Sequence, residues 1–296
     1  MSTSLTGAPL RIAVPNKGSL SESAVEMLRE AGYRTRRDSK ELVVTDSDND
    51  VEFFYLRPRD IAVYVGTGTV DAGITGRDLL LDSGSPAVEV MPLGFGASTF
   101  RYAARAGAAT SVADIAGQRV ATSYPGLVRA DLEKAGVAAD VVRLDGAVET
   151  AITLGVADVI ADVVETGATL RSQGLEVFGD PILRSEAVLI GRAGRSGEED
   201  GAGATPGFGV LHRRLTGVIT ARSYVMVDYD CPAELVEKAC AVTPGLESPT
   251  VSPLADPSWS AVRAMVPRRG VNRVMDELYE LGARAILVTD IAACRI

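Results

Sequence analysis

The stretch from Val159 to Leu170 constrains this chain more than any other. Val159 to Val164 is an apolar run broken only by Asp162, and it opens into Glu165-Thr166-Gly167-Ala168-Thr169 before a helical pattern starts at Leu170. A buried strand feeding a small-residue turn and then a helix is a unit of an α/β sheet. Such a joint gathers backbone N–H groups and the hydroxyls of Thr166 and Thr169 around one helix N-terminus, which is the physics of a phosphate site. Asp162 and Glu165 would repel a bare anion. A ligand that pairs phosphate with hydroxyls or a metal suits both halves, and a sugar phosphate is such a ligand.

The same joint recurs upstream. Leu10 to Val14 alternates as a strand, Pro15-Asn16-Lys17-Gly18 turns out of it, and an apolar-striped helix follows until Gly32. Val51 to Leu56 is a strand, Arg57-Pro58-Arg59-Asp60 a turn, and Ile61 to Val65 a helix with Pro58 in its first turn. Val70 to Thr75 is a strand, Gly76-Arg77-Asp78 a turn, and a helix starts at Leu79. A second unit opens near Gly107, with strands at Arg119 to Thr122 and Val141 to Leu144. Leu175 to Leu183 and Glu186 to Ile190 read as strands, the latter returning to the first unit. This rhythm predicts two α/β lobes with a cleft between them, of the periplasmic-binding-protein kind, and ligands at the strand C-terminal ends. The first lobe takes residues 10–106 and 181–195, the second 107–180.

Gly191 to Gly209 is rich in Gly, Ser and acids and reads as linker, which we bound at 196–214. Beyond it, residues 215–296 follow the order βαββαβ, with strands expected at Val218 to Asp228, Ser248 to Leu254, Trp259 to Val266 and Arg284 to Thr289. That order predicts a ferredoxin-like, ACT-like domain suited to regulation.

Composition narrows the chemistry. The only histidine is His212, in the Gly-rich stretch, where a solvated loop position is expected. Histidine-based triads and histidine-built zinc sites are therefore not expected, and chemistry falls to carboxylates, Lys/Arg and backbone donors, with room for a hard oxygen-bound cation. No metal-ligand set stands out. A net charge of −9 argues against nucleic acid or a membrane surface as partner. Three cysteines without metal-type spacing read as free thiols. With neither a secretory leader nor an apolar run of spanning length, a cytoplasmic protein is expected.

Each motif has a plainer reading. Lys17 could be a surface residue, and acids such as Glu149 favour a helix start. Tyr124 before Pro125 is either a turn aromatic or a ring lining the cleft, and Asp230 could simply cap the next helix. Three basic turns at one sheet edge, however, favour an anion-binding cleft.

Together these residues resemble the ATP phosphoribosyltransferase family. Glu149, Gly155, Ala157, Ile160, Asp162, Val163, Thr166, Gly167, Thr169 and Leu170 fill its signature segment at the expected spacing. The segments Pro15-Asn16-Lys17-Gly18, Leu56-Arg57-Pro58, Gly73 to Asp78, Leu144 to Glu149 and Tyr229 to Thr250 are also similar to that family, and the C-terminal domain resembles its long form. The resemblance implies that phosphoribosyl pyrophosphate and ATP react with Mg2+ present, giving N1-(phosphoribosyl)-ATP and pyrophosphate, under feedback by histidine. It implies that Thr166, Gly167, Ala168 and Thr169 hold the 5′-phosphate, with Glu149 and Asp162 near the ribose. Lys17, Gly18, Arg57, Gly76, Arg77, Asp78 and Tyr124 would line the nucleotide side, and Asp230, Leu246, Thr250 and Ala285 would take histidine. A homo-oligomer, dimer or hexamer, is the implied assembly. The rival readings are a two-lobed solute-binding module and an inactive ACT-like sensor.

Overall fold

The computed structural model describes residues 8–36, 38, 40–164, 167–193 and 207–295. They divide into two compact units, the first holding nearly everything up to Gly209 and the second starting at Val210.

The first unit contains two sheets. β1 (Leu10–Pro15) is buried along almost its whole length, as a central parallel strand must be, and leads to α1 (Ser19–Glu30). β2 (Val43–Asp46) and β3 (Val51–Leu56) follow, then α2 (Pro58–Gly66), which starts with proline at a position needing no N–H. β4 (Ala72–Gly76), α3 (Arg77–Ser83) and β5 (Ala87–Pro92) complete the first pass. The chain then crosses to β6 (Ser98–Arg105), β7 (Arg119–Thr122), α4 (Pro125–Ala135), β8 (Asp140–Arg143), α5 (Thr150–Thr153), β9 (Val159–Val164), α6 (Ala168–Ser172) and β10 (Leu175–Ser185). It returns as β11 (Ala187–Arg192).

The first sheet runs β2-β3-β1-β4-β11-β5 and the second β10-β6-β9-β7-β8. Leaving β2 aside, the two orders are equivalent: three parallel strands, then one antiparallel strand delivered by a crossing, then an edge strand. This repeated order is the two-lobed, periplasmic-binding-protein-like architecture expected from the sequence. The two crossings lie side by side, with the Leu93 N–H donating to Ala187 O at 2.9 Å and the Ala187 N–H to Phe95 O at 2.9 Å. The second sheet is covered on both faces, by Phe100, Tyr102, Val128 and Leu132 on one and by Val148, Ile152, Ile160 and Leu170 on the other.

The second unit begins within α7 (Phe208–Ser223) and continues through β12 (Tyr224–Pro232), α8 (Val236–Val242), β13 (Thr250–Pro253), β14 (Trp259–Pro267), α9 (Val271–Glu280) and β15 (Arg284–Asp290). Its sheet, β13-β14-β12-β15, is wholly antiparallel, and the order after α7 is the expected βαββαβ. One face packs on the helices through Val225, Val227, Tyr229, Val262 and Leu278.

Two expectations are corrected. Residues 98–105 and 181–185 belong to the second sheet and not to the first lobe, because β6 and β10 pair with each other there. Val218 to Ser223 is helix, not strand: Phe208, Leu211, Leu215, Val218 and Ala221 are buried at helical spacing, and that stripe overrides the β-branched run Val218-Ile219-Thr220. The same helix places His212 outside any loop and trims the expected linker, of which residues 196–206 lie outside the described ones.

Candidate active site

The joint after β9 is built as its sequence requires. Gly167 sits at φ 68°, a left-handed conformation that suits glycine, and its carbonyl accepts the Arg171 N–H at 3.1 Å to close the first turn of α6. Leu170 is buried in the core beside Ile160 and Val148, which fixes α6, while Thr169 is exposed. Glu149 stands at the start of α5, half-buried. Glu149, Asp162, Val163, Val164, Gly167, Ala168, Thr169 and Leu170 line one concavity of about 330 Å³. Glu165 and Thr166 lie outside the described residues.

Asp162 accepts the Val163 N–H at 2.8 Å. Burial is the main reason its carboxyl titrates above its ordinary value, and repulsion from Glu149 and Asp78 adds to the rise while Arg59 opposes it. Those neighbours tie the concavity to the first lobe. Asp78, buried in the first turn of α3, accepts the Ser185 hydroxyl at 2.7 Å, and its own N–H donates to Ser185 Oγ at 3.1 Å. Burial and the neighbouring Asp78 carboxylate push the Tyr124 hydroxyl well above the usual tyrosine range. The Tyr124 ring meets Phe100 edge-on at 5.0 Å and lies 4.7 Å beneath the Arg59 guanidinium. Arg59 in turn pairs with Asp82 at 2.8 Å.

Lys17 and Arg57 follow β1 and β3, and Gly76 ends β4, three parallel strands, so the three share one sheet edge. Lys17 and Gly18 are exposed, with Gly18 at φ 81°, and Arg57 is exposed at the N-cap of α2. Arg77 is different. Its guanidinium is held by Glu89 at 2.8 Å and Glu186 at 3.3 Å, so it braces β5 against the second crossing. Asp82 in α3 and Ser185 at the end of β10 lie in no turn with a recognisable pattern, so the sequence alone does not mark them. Arg59 was visible in the basic turn but had no assigned partner.

The four residues expected to take histidine lie in the second unit. Asp230 is on the half-exposed series of β12, on the face away from the helices, and pairs with Arg284 on β15. Thr250 is opposite Arg263, which is opposite Asp228, on that same face. Ala285 has φ 51° where β12 and β15 shift register between Asp228 and Asp230, a bulge with non-glycine strain. Leu246 is exposed in the loop between α8 and β13. Among the described residues no group of three or more His, Cys, Asp or Glu side chains is placed to hold a metal ion, and no helix is long and apolar enough to cross a membrane.

Two α/β lobes joined by paired crossings define a two-lobed α/β protein, in which the carboxylates Glu149 and Asp162 and the turn Gly167-Ala168-Thr169 line one concavity. Residues 57–202 match the family model for ATP phosphoribosyltransferase, and residues 221–293 match that for the HisG C-terminal domain. The chain is 64% identical over 287 residues to the ATP phosphoribosyltransferase of Arthrobacter sp. (strain FB24), covering 97% of this chain and 100% of that protein. It is 58% identical over 286 residues to that of Mycobacterium tuberculosis, covering 97% and 99%. A solved ATP phosphoribosyl transferase (HisG:HisZ) complex from Thermotoga maritima superposes with a TM-score of 0.55 at 28% identity, covering 62% of this chain and 87% of that one. The chain belongs to the ATP phosphoribosyltransferase family of histidine biosynthesis, in its long form with the C-terminal domain.

Proposed function

We propose that this chain transfers the phosphoribosyl group of phosphoribosyl pyrophosphate to N1 of the adenine of ATP, releasing pyrophosphate, as the first committed step of histidine biosynthesis, and that histidine inhibits it. The observation that carries this reading is the concavity where Glu149, Asp162, Gly167, Ala168 and Thr169 meet, with Asp78 and Arg59 of the other lobe in electrostatic reach of Asp162.

The reaction is a displacement at the ribose anomeric carbon. The adenine N1 lone pair forms the new C–N bond as the C–O bond to pyrophosphate breaks, the electron pair leaves with pyrophosphate, and a proton from the adenine 6-amino group passes to solvent. The adenine nitrogen needs no strong base, which suits a chain with one histidine. Positive charge develops on the ribose ring, as in glycoside hydrolysis, and Asp162 and Glu149 are the carboxylates placed to stabilise it and to bind ribose hydroxyls. Gly167 to Thr169, together with Thr166, which precedes them in the sequence, hold the 5′-phosphate. Lys17, Gly18, Arg57, Gly76, Asp78 and Tyr124 form the nucleotide side. Arg77 positions the turn from Gly76 to Asp78 through its two glutamates.

Phosphoribosyltransferases generally need a divalent metal. Glu149 and Asp162 offer hard carboxylate oxygens of the kind that suits Mg2+, which is commonly held by one or two carboxylates plus substrate phosphates and water. When bound it supplies charge neutralisation to the departing pyrophosphate. Asp230, Leu246, Thr250 and Ala285 take histidine, and the working form is a cytoplasmic homo-oligomer.

The test is transfer of isotopic label from the ribose of phosphoribosyl pyrophosphate to ATP, read by mass spectrometry. Labelled product that needs both substrates supports the reading. Tight binding of one small ligand with no transfer would instead mark a solute-binding module.

A further inference from the structure

We infer that Asp82 is a positioning residue for this reaction, a latch that holds the second lobe against the first across the cleft. The inference rests on the cleft being the site proposed above. Helix α4 of the second lobe begins at Pro125, and Tyr124, at its N-cap, provides no side-chain cap. The cap comes from the other lobe instead. Asp82 Oδ1 accepts the N–H groups of Gly126 at 2.8 Å and Leu127 at 3.1 Å, and Oδ2 takes the Arg59 guanidinium at 2.8 Å.

Its side chain is only 8% exposed, so this carboxylate is withdrawn from water and engaged on both oxygens. A carboxylate at a helix N-terminus is favoured both by the orphan N–H groups and by the helix dipole. The backbone at Gly126 adds an independent sign of close approach. A β-carbon there would overlap the Asp82 carbonyl oxygen, so glycine is what lets the two lobes meet.

The latch acts on the site through Tyr124, whose residue directly precedes the capped turn. With the start of α4 fixed, the Tyr124 ring stays beneath Arg59 and its hydroxyl stays beside Asp78. Asp82 thereby sets the spacing between the Asp78 side and the Asp162 side of the cleft without touching either substrate. Losing it lowers the population of the lobe arrangement that binds both ligands, and the apparent affinity for each falls by that fraction.

Three variants test this: Asp82→Ala, Asp82→Asn and Gly126→Ala, each compared with wild type in amide hydrogen exchange and steady-state kinetics. Asp82→Ala is expected to speed exchange at the Gly126 and Leu127 amides by about tenfold, the loss of a charge-assisted hydrogen bond. Exchange along β7 and β9 should not change. It should raise KM for both substrates by about fivefold with little change in kcat, the signature of lost uniform binding. Asp82→Asn keeps an acceptor for the helix N–H groups but turns an amide donor toward Arg59, so it should fall between Asp82→Ala and wild type in exchange protection and in both KM values. Gly126→Ala should reproduce the alanine variant with no change of charge, and it carries the test if Asp82→Ala does not fold. Unchanged exchange at the two amides in Asp82→Ala would overturn the latch. So would lost protection with both KM values unmoved, or an Asp82→Asn variant as impaired as Asp82→Ala. A wild-type protein without turnover would sink the proposed reaction, while the exchange measurements still decide whether the latch exists.

Discussion

Asp162 is a carboxyl largely withdrawn from water beside Glu149 and Asp78. A carboxyl whose folded pKa lies above its ordinary 3.8 contributes most to stability below that value, and loses the contribution as pH rises through the folded pKa. Toward neutral pH the Asp162 carboxyl is therefore a burden on the fold, because burial and the neighbouring Glu149 and Asp78 disfavour its charged form. Asp162→Asn, which keeps an acceptor for the Val163 N–H, should raise Tm at pH 7.5, and the gain should shrink as pH approaches 4. The same variant should lose most phosphoribosyl transfer, and thermal melts across pH beside kinetics check both halves. A lower Tm at neutral pH would contradict this electrostatic account. Thr169 makes the opposite case: it is exposed, so Thr169→Leu should leave stability within about 0.5 kcal/mol. It should raise KM for phosphoribosyl pyrophosphate about tenfold through a lost hydrogen bond to a charged phosphate. The residues lining the concavity were legible in the sequence because they sit within about twenty positions of one another. Asp82 and Ser185 were not, since their partners are 44 and 107 positions away and local pattern carries no trace of such pairs.

At the level of elements, the strand and helix rhythm of the first unit was readable from hydrophobic alternation and turn residues. What it could not give was sheet membership. Ser98–Arg105 reads as a plausible strand of either lobe, and only its pairing with Leu175–Ser185 settles the matter. Helix α7 misled for another reason: its β-branched run favours a strand locally, and the buried stripe from Phe208 to Ala221 decides otherwise. In β15 the bulge at Ala285 holds a non-glycine residue in a left-handed conformation, at a cost of about 1–2 kcal/mol. Ala285→Gly should relieve part of that strain and raise stability, whereas Ala285→Val should lower it by a further 1 kcal/mol or so because a β-branched side chain tolerates that conformation least. Denaturant melts measure both, and histidine inhibition measured on the valine variant should weaken if the bulge shapes the effector site.

Across the whole molecule, the proposed function puts catalysis in the first unit and histidine inhibition in the second, with the boundary between Gly209 and Val210. Deleting the chain after Gly209 should therefore abolish histidine inhibition while the two-lobed unit keeps its fold. Oligomer size must be followed in parallel, because loss of assembly alone would lower activity. A truncated enzyme still inhibited by histidine would place the effector in the first unit. In the proposed function residues of both lobes form one cleft for two substrates, and pyrophosphate release decides whether they do. With ATP and phosphoribosyl pyrophosphate supplied together, the full-length protein should release pyrophosphate, and it should release none with either alone. Release from phosphoribosyl pyrophosphate alone at the same rate, or no release with both present, would contradict the account.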